Sequence, residues 1–287
     1  MTLDIEISTP PLGYEVHFDN KEQRFEMFDE IVLKKPEMME CSLVIPAYNE
    51  ESRIMPFLED ISKNLPEKWE IIVVCDGTDR TAEIALSFGD RFTVLEYGHK
   101  LGKGGAILEG FYRAKGDIVG YVDADGALGS SDIIKVFSKV DEQNPVAIAS
   151  RWVRGSDIIE RQTFFRIVLG RVYHYATFAI LGLREKDTQC GLKAFLADRT
   201  DCIMRRVTLT NLSVDTAILY HCKLLELKVN EVPVSWRDMG GSKVRPFRTA
   251  LVMFATLIGI KMAHSKNAER NRSVISEMNE LLQNFRS

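Results

Sequence analysis

The sequence predicts an α/β protein, a mainly parallel sheet flanked by helices with a helical extension at the C-terminus. Three observations predict it. Short apolar runs recur from residue 41, amphipathic stretches of helix length separate them, and after about residue 245 only helix-like patterns remain. Strands buried on both faces read as continuous apolar runs, and parallel neighbours need crossovers, usually helices.

Taken in order, residues 1–40 carry Pro10-Pro11 and mixed charges and read as an N-terminal arm. "CSLVIPA" from Cys41 is the first buried strand, followed by the helical "EESRIMPFLEDISKNL" and the strand "WEIIVVC". "TDRTAEIALSFG" suits a helix with Thr78 or Asp79 near its N-cap. "RFTVLEY" is a strand, "GKGGAILEGFYRAKG" a helix opened by glycines, and "DIVGYVDAD" another strand. Beyond about 150 the rhythm breaks. A long helix is expected over roughly 158–182, then "DTQCGLKAF", a helix in "LSVDTAILYHCKLLEL" and a late strand in "KVNEVPVSW". "RTALVMFATLIGIKMAH" and "NAERNRSVISEMNELLQNF" read as two terminal helices. The expected division is an arm over 1–40, one domain over 41–245 and helices over 246–287.

Composition excludes several classes. With 287 residues, 45% apolar and 27% charged, the chain has the balance of a globular protein with a sizeable core. Thirty-seven basic against 41 acidic residues, net −4, argue against nucleic-acid binding through bulk positive charge. The five cysteines show no CxxC pair or zinc-like spacing and read as reduced core thiols. The N-terminus has acids where a signal peptide would be basic, and the longest apolar run, 250–260, is short of the ~20 residues that span a bilayer. The expectation is a cytoplasmic protein, soluble or peripheral on the cytoplasmic face of a membrane.

In an open parallel sheet, ligands bind beyond the carboxyl ends of the strands. "PAYNE" (46–50), "CDGT" (75–78), "GHKLGKGGA" (98–106) and "DADGA" (123–127) all fall there. Asp123 and Asp125 are the sharpest feature. Two adjacent carboxylates suppress each other's ionisation unless a cation lies between them. On an extended chain they point the same way and could share Mg²⁺ or Mn²⁺ completed by water and ligand phosphates, with Ala124 and Gly126 leaving room. The bland alternative is a solvated turn. "GKGGA" lacks the GxxxxGK[ST] spacing of a phosphate loop, but amides at the helix start favour an anion; alone, it could equally be a turn. Arg151, Arg154, Arg161, Arg166 and Arg171 form either a solvated helix face or a clamp for an anionic acceptor. On a straight helix Arg161 and Arg166 lie about 140° apart and cannot both face one ligand, unless residue 161 belongs to the preceding loop. His174 and His221 sit in apolar helical stretches and form no triad.

With these motifs in place the sequence resembles family 2 glycosyltransferases of the GT-A (Rossmann-like) fold from about 41 to 250, and most of all their dolichyl-phosphate glucosyltransferase and mannose synthase branch. "VIPAYNEE", "IIVVCDGT", "GKGGA", "DADGA", "ASR", "RQTFFR", "DTQCGLKAF", "VDTAIL", "EVPVSW" and "GSKV" carry the resemblance. It implies that Pro46, Ala47, Tyr48 and Glu50 line a nucleoside pocket, that Asp76 contacts base or ribose, and that Lys103 lies near the donor. By the same resemblance Asp123 and Ala124 border the donor, Asp123 meets ribose or metal, and Asp125 ligates the metal on the donor diphosphate. Arg151, Arg161 and Arg166 would face the acceptor phosphate, Asp187 and Gln189 would border acceptor and sugar, and Lys243 would close over the phosphates. Cys75 stands where the family has a first Asp, Ala127 where mannose synthases have a metal-binding Gln, and Ala217 replaces the acid of "FDxE".

The implied reaction moves a hexose from UDP-glucose or GDP-mannose to a polyprenyl phosphate with inversion. A phosphate dianion needs no general base, which suits a sequence without an obvious one. A soluble hydroxyl acceptor would need a base, with Asp187 or Asp215 as candidates. A third reading is a nucleotide-sugar binding module without turnover. The peripheral contact expected is through the apolar faces of 164–182 and 250–263.

Overall fold

The computed structural model describes residues 40–160, 164–207, 213–239 and 246–264. The expected arm, the second terminal helix, Arg161 and Lys243 lie outside these residues. The early elements follow the sequence: β1 (Cys41–Ala47), α1 (Ile54–Asn64), β2 (Trp69–Cys75), α2 (Thr81–Leu86), β3 (Phe92–Glu96), α3 (Gly102–Arg113) and β4 (Ile118–Val122). Next come α4 (Ser130–Phe137), β5 (Val146–Ser150), β6 (Asp157–Glu160), α5 (Phe164–Leu181), β7 (Leu192–Leu196) and α6 (Ala197–Met204). α7 (Val214–Leu224), β8 (Val229–Pro233), β9 (Ser235–Arg237) and α8 (Pro246–Ala263) complete the described chain.

Seven strands form one sheet in the order β3-β2-β1-β4-β7-β5-β8, with β7 alone antiparallel to its neighbours. All seven residues of β2 are buried, as expected of a strand covered on both faces. Alternate residues feed two cores. Leu43, Ile45, Ile71 and Val73 pack with α1, α2 and α4, while Val44, Ile72 and Val74 pack with α3, α5, α6, α7 and α8. The result is three layers with the sheet in the middle. Order reverses between β1 and β4, so the crevice for a ligand opens at their carboxyl ends, where Ala47 and Asp123 stand.

Three expectations change. Residues 158–160 are strand, paired parallel with β9 in a second, two-stranded sheet, and the helix begins only at Phe164. The apolar pair Ile158-Ile159 continues the helical pattern locally, but its partner lies far along the chain. Arg80 rather than Thr78 or Asp79 precedes α2, although Asp79 still accepts the Thr81 N–H at 3.1 Å. The chain also does not stay extended through the acid pair: it turns at Ala124 and Asp125, with Gly126 at φ +73°.

Candidate active site

That turn builds the site. Asp125 Oδ1 accepts the Ala127 N–H at 3.0 Å, the Ala127 carbonyl accepts the Arg237 N–H at 3.1 Å, and Gly126 supplies the left-handed backbone that L side chains resist. Asp123, tied through its own N–H to the Gly191 carbonyl at 3.0 Å, lines the same cavity. This cavity, about 170 Å³, is walled by Asp123, Asp125, Arg151, Gln189, Gly191 and Trp236 among others.

Behind its wall lies an ionic cluster. Lys103 Nζ is 2.7 Å from Asp123 Oδ1 and 2.7 Å from Asp215 Oδ2. Asp215 Oδ1 accepts Lys193 Nζ at 2.5 Å and the Tyr121 hydroxyl at 2.6 Å. Burial opposes the charge on Asp215, but Lys103 and Lys193 overcome it and hold its carboxyl at about 2. Burial likewise opposes the Lys103 charge, and Asp123 and Asp215 hold its ammonium above its ordinary range. Asp123 moves the other way. Enclosure raises it to about 6; Lys103 pulls it down, and Asp215 and Asp125 push it up. With 39% of its side chain open, Asp123 can still meet a ligand in the cavity.

On the opposite wall Arg151 grips Asp187. Its Nε and Nη2 donate to the two carboxylate oxygens at 2.7 and 2.9 Å, and its backbone N–H adds a third bond at 2.9 Å. Burial opposes the Asp187 charge, but Arg151 wins and keeps the carboxyl below its usual value. The guanidinium lies 5.3 Å from the Trp236 ring, and the fork uses only part of its five donors. Gln189 Nε2 donates to Thr216 Oγ1 at 2.7 Å.

Among the expected site residues, Asp123, Asp125, Arg151 and Gln189 come together around the cavity, with Lys103 and Asp187 bonded directly behind. The others separate. Ala47 and Ala124 are buried in the core, so their side chains do not border the cavity. Asp76 is buried and its Oδ2 accepts the Leu101 and Gly102 N–H groups, both at 2.8 Å. Two amides expected to greet an anion at the start of α3 thus already hold one. Glu50 pairs with Arg53, and Tyr48 is exposed with Lys100 Nζ 4.1 Å from its ring centroid. Cys75 is a core residue whose thiol burial pushes up to about 12. Arg166 lies on α5, but its side chain is outside the described residues.

The model of the family described as glycosyl transferase family 2 matches residues 42–206. The chain belongs to glycosyltransferase family 2.

Its relatives sharpen the setting. Over 256 residues, 82% of this chain and 78% of the relative, it is 33% identical to a Drosophila melanogaster protein named dolichyl-phosphate beta-glucosyltransferase. Proteins of the same name from Saccharomyces cerevisiae and Homo sapiens are 32% and 28% identical, over 78% and 80% of this chain and 74% and 78% of theirs. Among solved structures, Mycobacterium tuberculosis glucosyl-3-phosphoglycerate synthase in complex with Mn²⁺, UDP and glucosyl-3-phosphoglycerate superposes with a TM-score of 0.60 at 20% identity. That match covers 78% of this chain and 79% of the other. The GT-A fold expected from the strand-end motifs therefore holds.

For this glycosyltransferase the donor set can be tested against a divalent cation. Among the described residues no three His, Cys, Asp or Glu side chains gather as a metal cage. Asp125 offers a carboxylate oxygen outside its turn bond, in an open cavity with a second carboxylate two residues away. One or two oxygen ligands, with water and phosphate supplying the rest, is the coordination Mg²⁺ accepts, so the residues fit. Lys193, Tyr121 and Trp236 were not singled out from the sequence. Trp236 ends the quoted "EVPVSW", but neither charge nor spacing marks it.

Proposed function

We propose that this enzyme is an inverting glucosyltransferase carrying glucose from UDP-glucose to a polyprenyl phosphate of the dolichyl type, with Mg²⁺ or Mn²⁺ on the donor diphosphate. One observation carries the choice of acceptor: both candidate bases for a hydroxyl acceptor are already committed. Asp187 is forked by Arg151, and Asp215 lies between two lysines with its carboxyl at about 2. Neither has the proton affinity to take a proton from a hydroxyl at neutral pH. A phosphate dianion needs none. Asp123, raised to about 6 chiefly by burial and against the pull of Lys103, keeps a partly open carboxylate at the cavity that a cation can share. The names of the relatives support glucose and dolichyl phosphate, and their "beta" product is what inversion of an α-linked nucleotide sugar gives.

In this reading an acceptor phosphate oxygen attacks the anomeric carbon as the bond to the UDP oxygen breaks, that oxygen leaving with the electron pair. No proton need move. The Arg151 N–H groups outside its fork to Asp187 would orient the acceptor phosphate, with Arg161, Arg166 and Lys243 as further cations. Lys103, behind the wall, would act on the donor site by holding Asp123. Asp125 and Asp123 would hold the cation, which when bound offsets charge on the leaving diphosphate. Tyr48, Glu50 and Pro46, beside Asp76, would take the nucleoside.

The purified protein with Mn²⁺ is expected to glucosylate a short-chain polyprenyl phosphate from UDP-glucose and not to transfer mannose from GDP-mannose. Asp125→Ala should lower transfer by about two orders of magnitude. Transfer only to soluble sugars would overturn the acceptor, and full turnover by the alanine variant would overturn the metal assignment.

A lipid acceptor also asks for a membrane surface. No helix among the described residues is long and apolar enough to cross a bilayer. On α5, Val168, Val172, Tyr175 and Phe178 are exposed, and on the adjoining α8 so are Leu251 and Ile258. We place these faces against a membrane, on its cytoplasmic side, where free buried cysteines persist. The protein should therefore float with liposomes containing polyprenyl phosphate, and Val172→Glu/Phe178→Glu should release it. Absence of flotation by the unmodified protein would rule this surface out.

A further inference from the structure

Lys193 takes no part in lining the cavity, and nothing in the proposed transfer calls for it. It stands on β7 with no exposed surface, paired across the ladder with Tyr121. Its ammonium donates to Asp215 Oδ1 at 2.5 Å and to the Cys190 carbonyl at 2.8 Å. A buried ion pair is often no more stable than well-packed apolar residues in its place, so fold stability alone does not account for a charge here.

The neighbours do account for it. Contacts run from Lys193 to Asp215, from Asp215 to Lys103, and from Lys103 to Asp123 at the cavity wall. Two cations balance two anions. Without the Lys193 charge, Lys103 would be left to serve two carboxylates, and their claims are unequal. Asp215 has a side chain only 2% exposed and cannot turn to water, whereas that of Asp123 is 39% open. Lys103 would be drawn onto Asp215 and away from Asp123.

We infer that Lys193 is a positioning residue of the donor site: by satisfying Asp215 it frees Lys103 to fix Asp123, and so sets where the donor diphosphate and its cation sit. The inference rests on the donor half of the proposed function and is independent of the acceptor.

The test is UDP binding in Mn²⁺ by calorimetry, with melting temperature measured in parallel. Lys193→Met should weaken UDP binding by about ten- to a hundredfold, the range for groups that orient ligating residues. The charge-balanced double variant Lys193→Met/Asp215→Asn leaves Lys103 a single carboxylate and should recover binding to within about threefold of the unmodified protein. A packing role predicts the opposite order, because the double variant lacks two buried partners. Unchanged binding in Lys193→Met, or a folded double variant binding as weakly as the single one, would overturn the inference. If Lys193→Met fails to fold, the double variant decides alone, and if neither folds Lys193 serves the fold and the inference falls. Unmodified protein that binds UDP yet forms no lipid product would fault the acceptor reading and leave this comparison standing. Unmodified protein that binds no UDP in Mn²⁺ would sink both.

Discussion

Gly191→Ala is expected to lower sugar transfer by about two orders of magnitude while the protein stays folded, the loss typical of a catalytic group displaced by an ångström. A Cβ on residue 191 would lie 2.0 Å from Asp123 Oδ2 and 2.3 Å from its Cγ. Gly191 is not among the residues with positive φ, so alanine brings no backbone strain, only this collision. The Asp123 backbone is held by its bond to the Gly191 carbonyl, so its side chain must yield, rotating the carboxylate off Lys103. The Asp123 side chain is 39% open, so the rotation costs little stability but moves an acid of the proposed donor site. Initial rates with UDP-glucose, beside a thermal melt, check this. A variant with full activity would show that the position of Asp123 is immaterial to transfer.

The sheet was legible where its physics is local. β1, β2 and β4 are buried over nearly their whole length and read, like the edge strand β3, as apolar runs, and the crossovers between them carry a helical period. β7 was not, because Lys193 stands second in "LKAFL" and no local rule puts an ammonium inside a sheet. β6 was absorbed into a helix because what makes it a strand is β9, over 70 residues further along. Long-range pairing of short segments leaves little mark in a sequence window.

The site divides along the same line. Asp123 and Asp125 are recognisable as an acid pair at a strand end, Arg151 as one of a cluster of arginines, and Asp187 and Gln189 through the family resemblance, and they do converge. What spacing could not convey was direction. Ala47 and Ala124 point into the core, and the amides opening α3 are taken by Asp76. Nor could spacing reveal the cluster behind the wall. Tyr121 and Lys193 meet because the β4–β7 register sets them opposite one another, and Asp215 reaches them from a helix. That register commits Asp215, and Arg151 separately commits Asp187, so the case against a base is stronger from the structure than from the sequence.

Arg151→Met should cost about 3–5 kcal/mol of stability at neutral pH, the penalty for leaving a buried charge without its partner. Asp187 is 3% exposed and would keep only backbone N–H donors, from Arg151 and Gln189. The pH dependence separates this from lost packing on Trp236. In the unmodified protein, burial acts to raise the Asp187 pKa but Arg151 overcomes it, and the net shift is downward. The carboxylate therefore contributes stability above its unfolded pKa, lost as pH falls through the lower folded value. Without the guanidinium, burial is opposed only by the remaining backbone N–H bonds and the Lys193 charge, and the shift is expected to reverse. The variant's carboxyl then takes up a proton above the ordinary value of about 4, which relieves the buried charge. Urea unfolding should accordingly show a gap between the two proteins that is widest near neutrality and narrows steadily toward pH about 4. A gap of constant size over that range would assign the loss to packing, and Arg151 would then owe its place to Trp236 rather than to Asp187.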